Sequence, residues 1–154
     1  MSVFEYTAGS RKFTRTRNSL KKYSFALTSP TSVGTSFDTG KNGSVEIKPA
    51  NEAVYVKPEM LIVQCSSLAG GTPPTSVVVR ITKDSGGDEC IVPDTSGSLS
   101  TGLTTATDAT AVYEIGLPYL DTASSAASLY LFFKTDSGTL TVDSADLYTT
   151  AETF

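Results

Sequence analysis

The sequence predicts an all-β protein, an antiparallel β-sandwich of jelly-roll type with an extended N-terminal arm. Short runs of alternating apolar and polar residues recur along the chain, and turn-forming Gly, Pro, Ser and Asp separate them. Good helix formers are scarce, so the alternation favours strands over helices. The 154 residues suit one domain. We divide the chain into a basic arm, residues 1–22, and a sandwich, residues 23–154.

The first strands are predicted where alternation is clearest, in "YSFALT" and "GSVEIKP". The run "EAVYVKPEMLIVQCSS" is rich in β-branched residues but contains Pro58. Because proline cannot donate a hydrogen bond to a neighbouring strand, Pro58 predicts a strand break or a sheet edge. The run "TSVVVRITK" follows, with Val77, Val79 and Ile81 on one face of the predicted strand.

Two hairpins are predicted from Gly-containing loops between β runs, "VVVRITKDSGGDECIV" and "LYLFFKTDSGTLTVD". Residues 93–110 form a polar tract that predicts a long connection. The run "SLYLFFK" is apolar on both predicted faces, which is typical of a central strand. The alternative is that one of these faces is a ligand or subunit surface.

Charge is distributed unevenly between the arm and the rest of the chain. Residues 1–22 carry a net charge of +5, whereas residues 23–154 carry −9. Such an asymmetry predicts that the arm has a partner of its own. The contact residues are predicted to be the six basic side chains Arg11, Lys12, Arg15, Arg17, Lys21 and Lys22.

Two interpretations of this arm remain open. Arg and Lys interleaved with Ser, Thr and Asn would neutralise phosphates, which predicts salt-dependent binding of nucleic acid without base readout. Alternatively, the arm is a solvated strand, or it pairs with the acidic body of a neighbouring subunit. Multiplied over many copies, even weak contacts of either kind become strong.

Catalysis is disfavoured because the chain contains no histidine. This removes the commonest general base and the commonest metal ligand. Phosphate-binding and nucleophile-elbow motifs are absent as well. We therefore expect no enzymatic activity and no cofactor.

Two groups of carboxylates suggest alternatives. Asp84, Asp88 and Glu89 in "KDSGGDE" are oxygen ligands on a Gly loop, as a calcium site requires, but acidic residues are also ordinary in solvated turns. Asp136, Asp143 and Asp146 allow a two-carboxylate hydrolase. Charges on the surface of a sheet are the simpler interpretation.

No apolar run approaches the roughly 20 residues that a membrane span needs. The start "MSVFEYTAGSRKF" lacks the apolar region of a signal peptide, so we expect synthesis in a cytosol and no membrane partner. Cys65 and Cys90 are then expected to be thiols, with a disulfide possible only between neighbouring strands.

The arrangement of a basic arm before a β-sandwich resembles the small single-jelly-roll coat proteins of icosahedral viruses. The resemblance covers the whole chain as an architecture. It implies a virion structural protein that self-assembles in many copies, with the arm contacting neighbouring subunits, packaged nucleic acid or other virion proteins. Phage decoration and head-fibre proteins have a similar composition and are an alternative.

A second resemblance is to carbohydrate-binding jelly-roll modules of the galactose-binding type. The segment "LYLFFKTDSGTLTVDSADLY", residues 129–148, is similar to the closing hairpin of those modules. This resemblance implies sugar binding on aromatic platforms, for which Tyr113 and Tyr119 are the candidates. The absence of Trp and of a signal peptide argues against it.

Overall fold

A computed structural model of the chain describes residues 2–8, 11–17, 21–28, 32–38, 40–47, 55–101, 109–115, 120–121 and 127–152. These residues form strands and turns and contain no helix. In chain order the strands are β1 (Ser2–Ala8), β2 (Arg11–Arg17), β3 (Lys21–Ser24), β4 (Ala26–Leu27), β5 (Ser32–Val33), β6 (Gly43–Ile47), β7 (Tyr55–Ala69), β8 (Ser76–Thr82), β9 (Cys90–Ser98), β10 (Ser100–Thr101), β11 (Ala109–Glu114), β12 (Leu120–Asp121), β13 (Ala127–Thr135) and β14 (Thr139–Glu152).

The strands form two antiparallel sheets, as a sandwich requires. The larger sheet has nine strands in the order β1-β2-β14-β7-β11-β10, with β12 beside β7 and with β3 and β5 beside β14. The smaller sheet has five strands in the order β4-β6-β13-β8-β9. The all-β prediction is confirmed, and so is the prediction of antiparallel sheets. Within the described residues, no helix is long and apolar enough to cross a membrane.

One apolar core joins the two sheets, and it is built from alternate residues of the central strands. Val77, Val79 and Ile81 share one face of β8, as their spacing predicted, and all three are fully buried. Leu131 and Phe133 of β13 face the same core. The larger sheet contributes its own alternate positions, among them Leu61, Val63, Ala111, Tyr113, Ala145 and Leu147. Each fully buried large side chain stabilises the fold by about 1.5–3 kcal/mol.

Strands β8 and β9 form the first predicted hairpin, with Thr82 opposite Cys90. Gly87 in its loop has a φ of +87°, a conformation that glycine adopts without strain. The hairpin prediction is therefore confirmed here. The connection predicted over the polar tract, residues 93–110, is shorter in the structure. Its first residues belong to β9, which continues along the edge of β8 as far as Ser98. Residues 102–108 of that tract lie outside the described part of the chain.

The second predicted hairpin is wrong. Strand β13 lies in the five-stranded sheet between β6 and β8, whereas β14 lies in the other sheet beside β7. Both edges of β13 are already occupied, so the chain must cross to the other sheet after Thr135. The segment 135–138, which we call the inter-sheet arch, makes this crossing. Asp136 fixes it by accepting hydrogen bonds from the backbone N–H groups of Thr75 and Ser76, at 3.0 and 3.1 Å.

The break or edge predicted at Pro58 is also wrong. Strand β7 runs through Pro58 without interruption and is a central strand. On the β14 side, Tyr148 pairs with Met60 and Thr149 with Pro58, so the register shifts and Glu59 is the extra residue of a bulge. On the other side, Pro58 lies between the residues of β7 that pair with β11 and those that pair with β12. Local irregularity on both sides lets a central strand accommodate a residue without an N–H group.

Candidate functional site

The six basic residues of the N-terminal segment belong to two places in the fold. Arg11, Lys12, Arg15 and Arg17 lie in β2, and Lys21 and Lys22 lie in β3. Strands β1 and β2 pair along seven residues, from Ser2–Arg17 to Ala8–Arg11. We call this pair the N-terminal hairpin. Where the structure describes the segment predicted to be an extended arm, it therefore consists of paired strands.

The N-terminal hairpin continues an edge of the larger sheet. Strand β3 pairs with residues 146–149 of β14, and Arg17 of β2 pairs with Glu152 on the same side of β14. Within the described residues, this is the one pair that joins β2 to β14. Because a strand advances about 3.3 Å per residue, residues 11–16 extend about 20 Å beyond the Arg17–Glu152 pair.

The carboxylate of Asp84 organises the turn between β8 and β9. One of its oxygens accepts a hydrogen bond from the backbone N–H of Asp88 at 3.0 Å, and the other accepts from the N–H of Glu89. These two bonds hold the pKa of Asp84 below its ordinary value. No group of three carboxylates or thiols suited to a metal ion occurs among the described residues. The geometry here favours the turn over the calcium site.

The three aspartates considered as hydrolase candidates each bind a different neighbour. Asp136 holds the inter-sheet arch. Asp143 accepts a hydrogen bond from Ser66 Oγ at 3.0 Å, and Asp146 accepts one from Ser24 Oγ at 2.6 Å. These contacts tie loops and neighbouring strands together, which favours the interpretation as surface charges.

The proposal that Tyr113 forms a sugar platform is wrong. Tyr113 is 3% exposed and faces the core, and its hydroxyl donates a hydrogen bond to the carbonyl oxygen of Val77 at 2.6 Å. Its ring lies against Gly97, where a Cβ would come within 2.5 Å of the ring. Burial raises the pKa of this phenol well above its ordinary value. Tyr113 therefore links the two sheets, and Tyr119 lies outside the described residues.

The two cysteines are free thiols in different sheets, Cys65 buried in β7 and Cys90 exposed in β9. Burial, and to a lesser extent the charge of Asp143, raises the pKa of Cys65 to about 12. We expect iodoacetamide at mildly alkaline pH to add to one cysteine of the native protein and to both in denaturant, because only exposed thiolates react quickly. Intact-mass spectrometry counts the adducts, and two adducts on the native protein would contradict the burial of Cys65.

A cluster of two cations around one aromatic ring lies on the outer face of the smaller sheet. The ring of Phe37 lies 4.3 Å from Arg80 Cζ and 4.8 Å from Lys134 Nζ. Arg80 also forms a two-point ion pair with Asp94, with Nε to Oδ1 at 2.7 Å. Sequence reasoning missed this cluster because its members come from three separate segments. The cations already cover Phe37, so the cluster fastens the segment 34–38 to the sheet.

The outer face of the larger sheet has a continuous row of side chains across four strands. In this row Glu114 of β11 is opposite Met60 of β7, Met60 is opposite Tyr148 of β14, and Tyr148 is opposite Lys22 of β3. Glu114 and Lys22 are exposed at the two ends, and the middle pair is half-buried. The row therefore has an apolar centre, a negative end and a positive end.

A second row lies beside the first. Val112 of β11 is opposite Ile62 of β7, which is opposite Asp146 of β14. Val112 is 53% exposed, and it is the one exposed large apolar side chain among the described residues. The four side chains Met60, Ile62, Val112 and Tyr148 thus form one apolar patch on the sheet, which we call the outer patch. In the sequence, the outer patch is indicated by apolar residues that alternate with the buried ones, namely Met60 and Ile62 of β7 and Val112 of β11.

Comparison with known proteins adds no relationship to these observations: no protein-family model, no curated protein and no solved structure matches this chain.

Proposed function

We propose that this chain is a virion structural protein, a capsid subunit of jelly-roll type that self-assembles in many copies. The observation that carries the proposal is the N-terminal hairpin. It continues the sheet edge about 20 Å beyond the Arg17–Glu152 pair, and it carries four of the six basic residues of the arm. Two antiparallel sheets around one core supply the rigid body that such a subunit needs.

The hairpin suits contacts with another molecule for two physical reasons. In the described structure β1 is the end strand of its sheet, so its outer backbone groups are available to add a strand from a neighbour. Its basic residues also complement the −9 charge of residues 23–154, or the phosphates of packaged nucleic acid. Each contact is weak for one copy and becomes strong when a closed shell repeats it.

Deleting residues 1–17 is the direct test. The deletion ends before Lys21 because β3 pairs with β14 and contributes to the sheet. We expect the wild-type protein to form large, uniform particles and the deletion variant to form smaller species while its sheets stay folded. Size-exclusion chromatography with light scattering measures the mass, and circular dichroism measures the fold.

A charge-neutral variant separates the two roles of the hairpin. Replacing Arg11, Lys12, Arg15 and Arg17 by Gln keeps the backbone available for pairing but removes the charge. If nucleic acid is the partner, particles of this variant keep their size and lose their excess absorbance at 260 nm. If the acidic body of a neighbour is the partner, particle size itself changes. A wild-type protein that remains a monomer at every concentration would refute the proposal.

A further inference from the structure

The row that runs from Glu114 through Met60 and Tyr148 to Lys22 is complementary to its own image. We propose that this face is the contact between two copies of the chain, related by a two-fold axis. The inference deepens the proposed self-assembly and rests on it, since it names the surface through which copies first pair. Protein interfaces typically have an apolar centre and a polar rim, and Met and Tyr are enriched in them. This sheet face has the same distribution of residues.

The order of the two charges along the row determines which two-fold axis brings opposite charges of the two copies together. Consider a two-fold axis that lies in the interface, parallel to the strands and midway between β7 and β14. Rotation about it places β11 of one copy over β3 of the other. Glu114 of each copy then faces Lys22 of the other, and Met60 faces Tyr148.

An axis perpendicular to the strands gives a different result. It keeps β11 over β11 and β3 over β3, so that Glu114 approaches Glu114 and Lys22 approaches Lys22. Like charges placed opposite each other across an interface are strongly unfavourable. The charges therefore favour the first arrangement and disfavour the second, which is how an interface obtains a defined orientation.

Dimensions support this pairing. The row crosses four strands spaced about 4.8 Å apart, so Glu114 and Lys22 are separated by about 14 Å. Sheets packed face to face lie about 10 Å apart, which leaves room for the apolar side chains of both copies between them. The contact removes from water the side chain of Val112, which is 53% exposed, and burying this apolar surface stabilises the pair.

Charge exchange between two variants of the full chain tests the inference. Glu114→Lys alone and Lys22→Glu alone each convert two attractive contacts of the dimer into two repulsive ones. We expect the dissociation constant of the dimer to rise about tenfold or more in each variant. Sedimentation velocity at low ionic strength, at protein concentrations below those at which particles form, measures it.

An equimolar mixture of the two variants should restore the wild-type dissociation constant. In the mixed dimer, the lysine introduced at position 114 of one copy faces the glutamate introduced at position 22 of the other. The second contact of that dimer joins the unchanged Lys22 of the first copy to the unchanged Glu114 of the second. Both contacts are therefore attractive again, and the same sedimentation measurement on the mixture detects the recovery.

The matched control is Glu46→Lys, an exposed reversal on β6 of the other sheet. It should leave the dissociation constant unchanged. The inference is overturned if the wild-type protein forms no dimer, if either reversal leaves pairing unchanged, or if the mixture fails to restore it. Particles that form regardless of both reversals would overturn the inference while the proposed function stands. Dimers that obey the exchange without ever forming particles would support the inference and refute the proposed function.

Discussion

Gly138→Ala is expected to lower the free energy of unfolding by about 2–4 kcal/mol. Gly138 has a φ of +59°, in the left-handed region that costs other residues about 1 kcal/mol. It also closes the inter-sheet arch so tightly that a Cβ would overlap the carbonyl oxygen of Ala69 and come within 2.8 Å of that of Thr72. Overpacking of this kind adds about 1–3 kcal/mol. Urea denaturation followed by circular dichroism measures the loss.

Gly71→Ala is the matched control. Gly71 belongs to the loop against which the arch packs, but a Cβ there would meet nothing within 4 Å. We expect its unfolding free energy to stay within about 0.5 kcal/mol of wild type, as for most surface substitutions. Equal losses in the two variants would mean that the arch does not approach this loop as closely as described.

Phe133→Ala is expected to produce the largest loss of stability, about 3–5 kcal/mol. Phe133 is among the largest fully buried side chains, and it extends from β13 into the core between the two sheets. Removing its ring leaves a cavity in the core that neighbours such as Leu131 cannot fill without moving. For a domain whose total stability is typically about 5–15 kcal/mol, this is a large fraction. Urea denaturation measures it.

Tyr130→Ala provides the comparison on the same strand. Tyr130 is half-buried on the opposite face of β13, where Lys41 Nζ lies 4.9 Å from its ring centroid. Its loss should cost about 1 kcal/mol. A cost for Tyr130→Ala that equalled that of Phe133→Ala would show that the core lies on both faces of the strand.

Period-two alternation was sufficient to predict several strands of the sandwich and the shared face of β8, because alternation along a strand is a local property of the sequence. It placed Val77, Val79 and Ile81 on one face of a strand, and that face is buried in the structure. The same reasoning identified the β8–β9 hairpin correctly, since a short Gly loop between two β runs normally joins neighbouring strands.

Partners in distant parts of the chain could not be predicted in this way. A short Gly loop follows β13 as well, but β6 and β8 occupy both of its edges, and this depends on segments far away in the sequence. Tyr113 appeared to be a free aromatic side chain because nothing local indicates that the carbonyl of Val77 accepts a hydrogen bond from its hydroxyl. The outer patch likewise appears only once β7, β11 and β14 are aligned in register.

The position of β14 between β3 and β7 has a consequence for folding during synthesis of the chain. Strand β14 is the last of the described strands to be synthesised, and β3 is among the first. Among the described strands β3 pairs with β14 alone, so this pairing must wait until almost all of them have been translated. A growing chain therefore cannot complete its larger sheet early, and folding is dominated by contacts between distant residues, which are slow to form. The outer patch, which includes Tyr148 of β14, is therefore complete only late in translation, so unfinished chains on neighbouring ribosomes do not present it to one another.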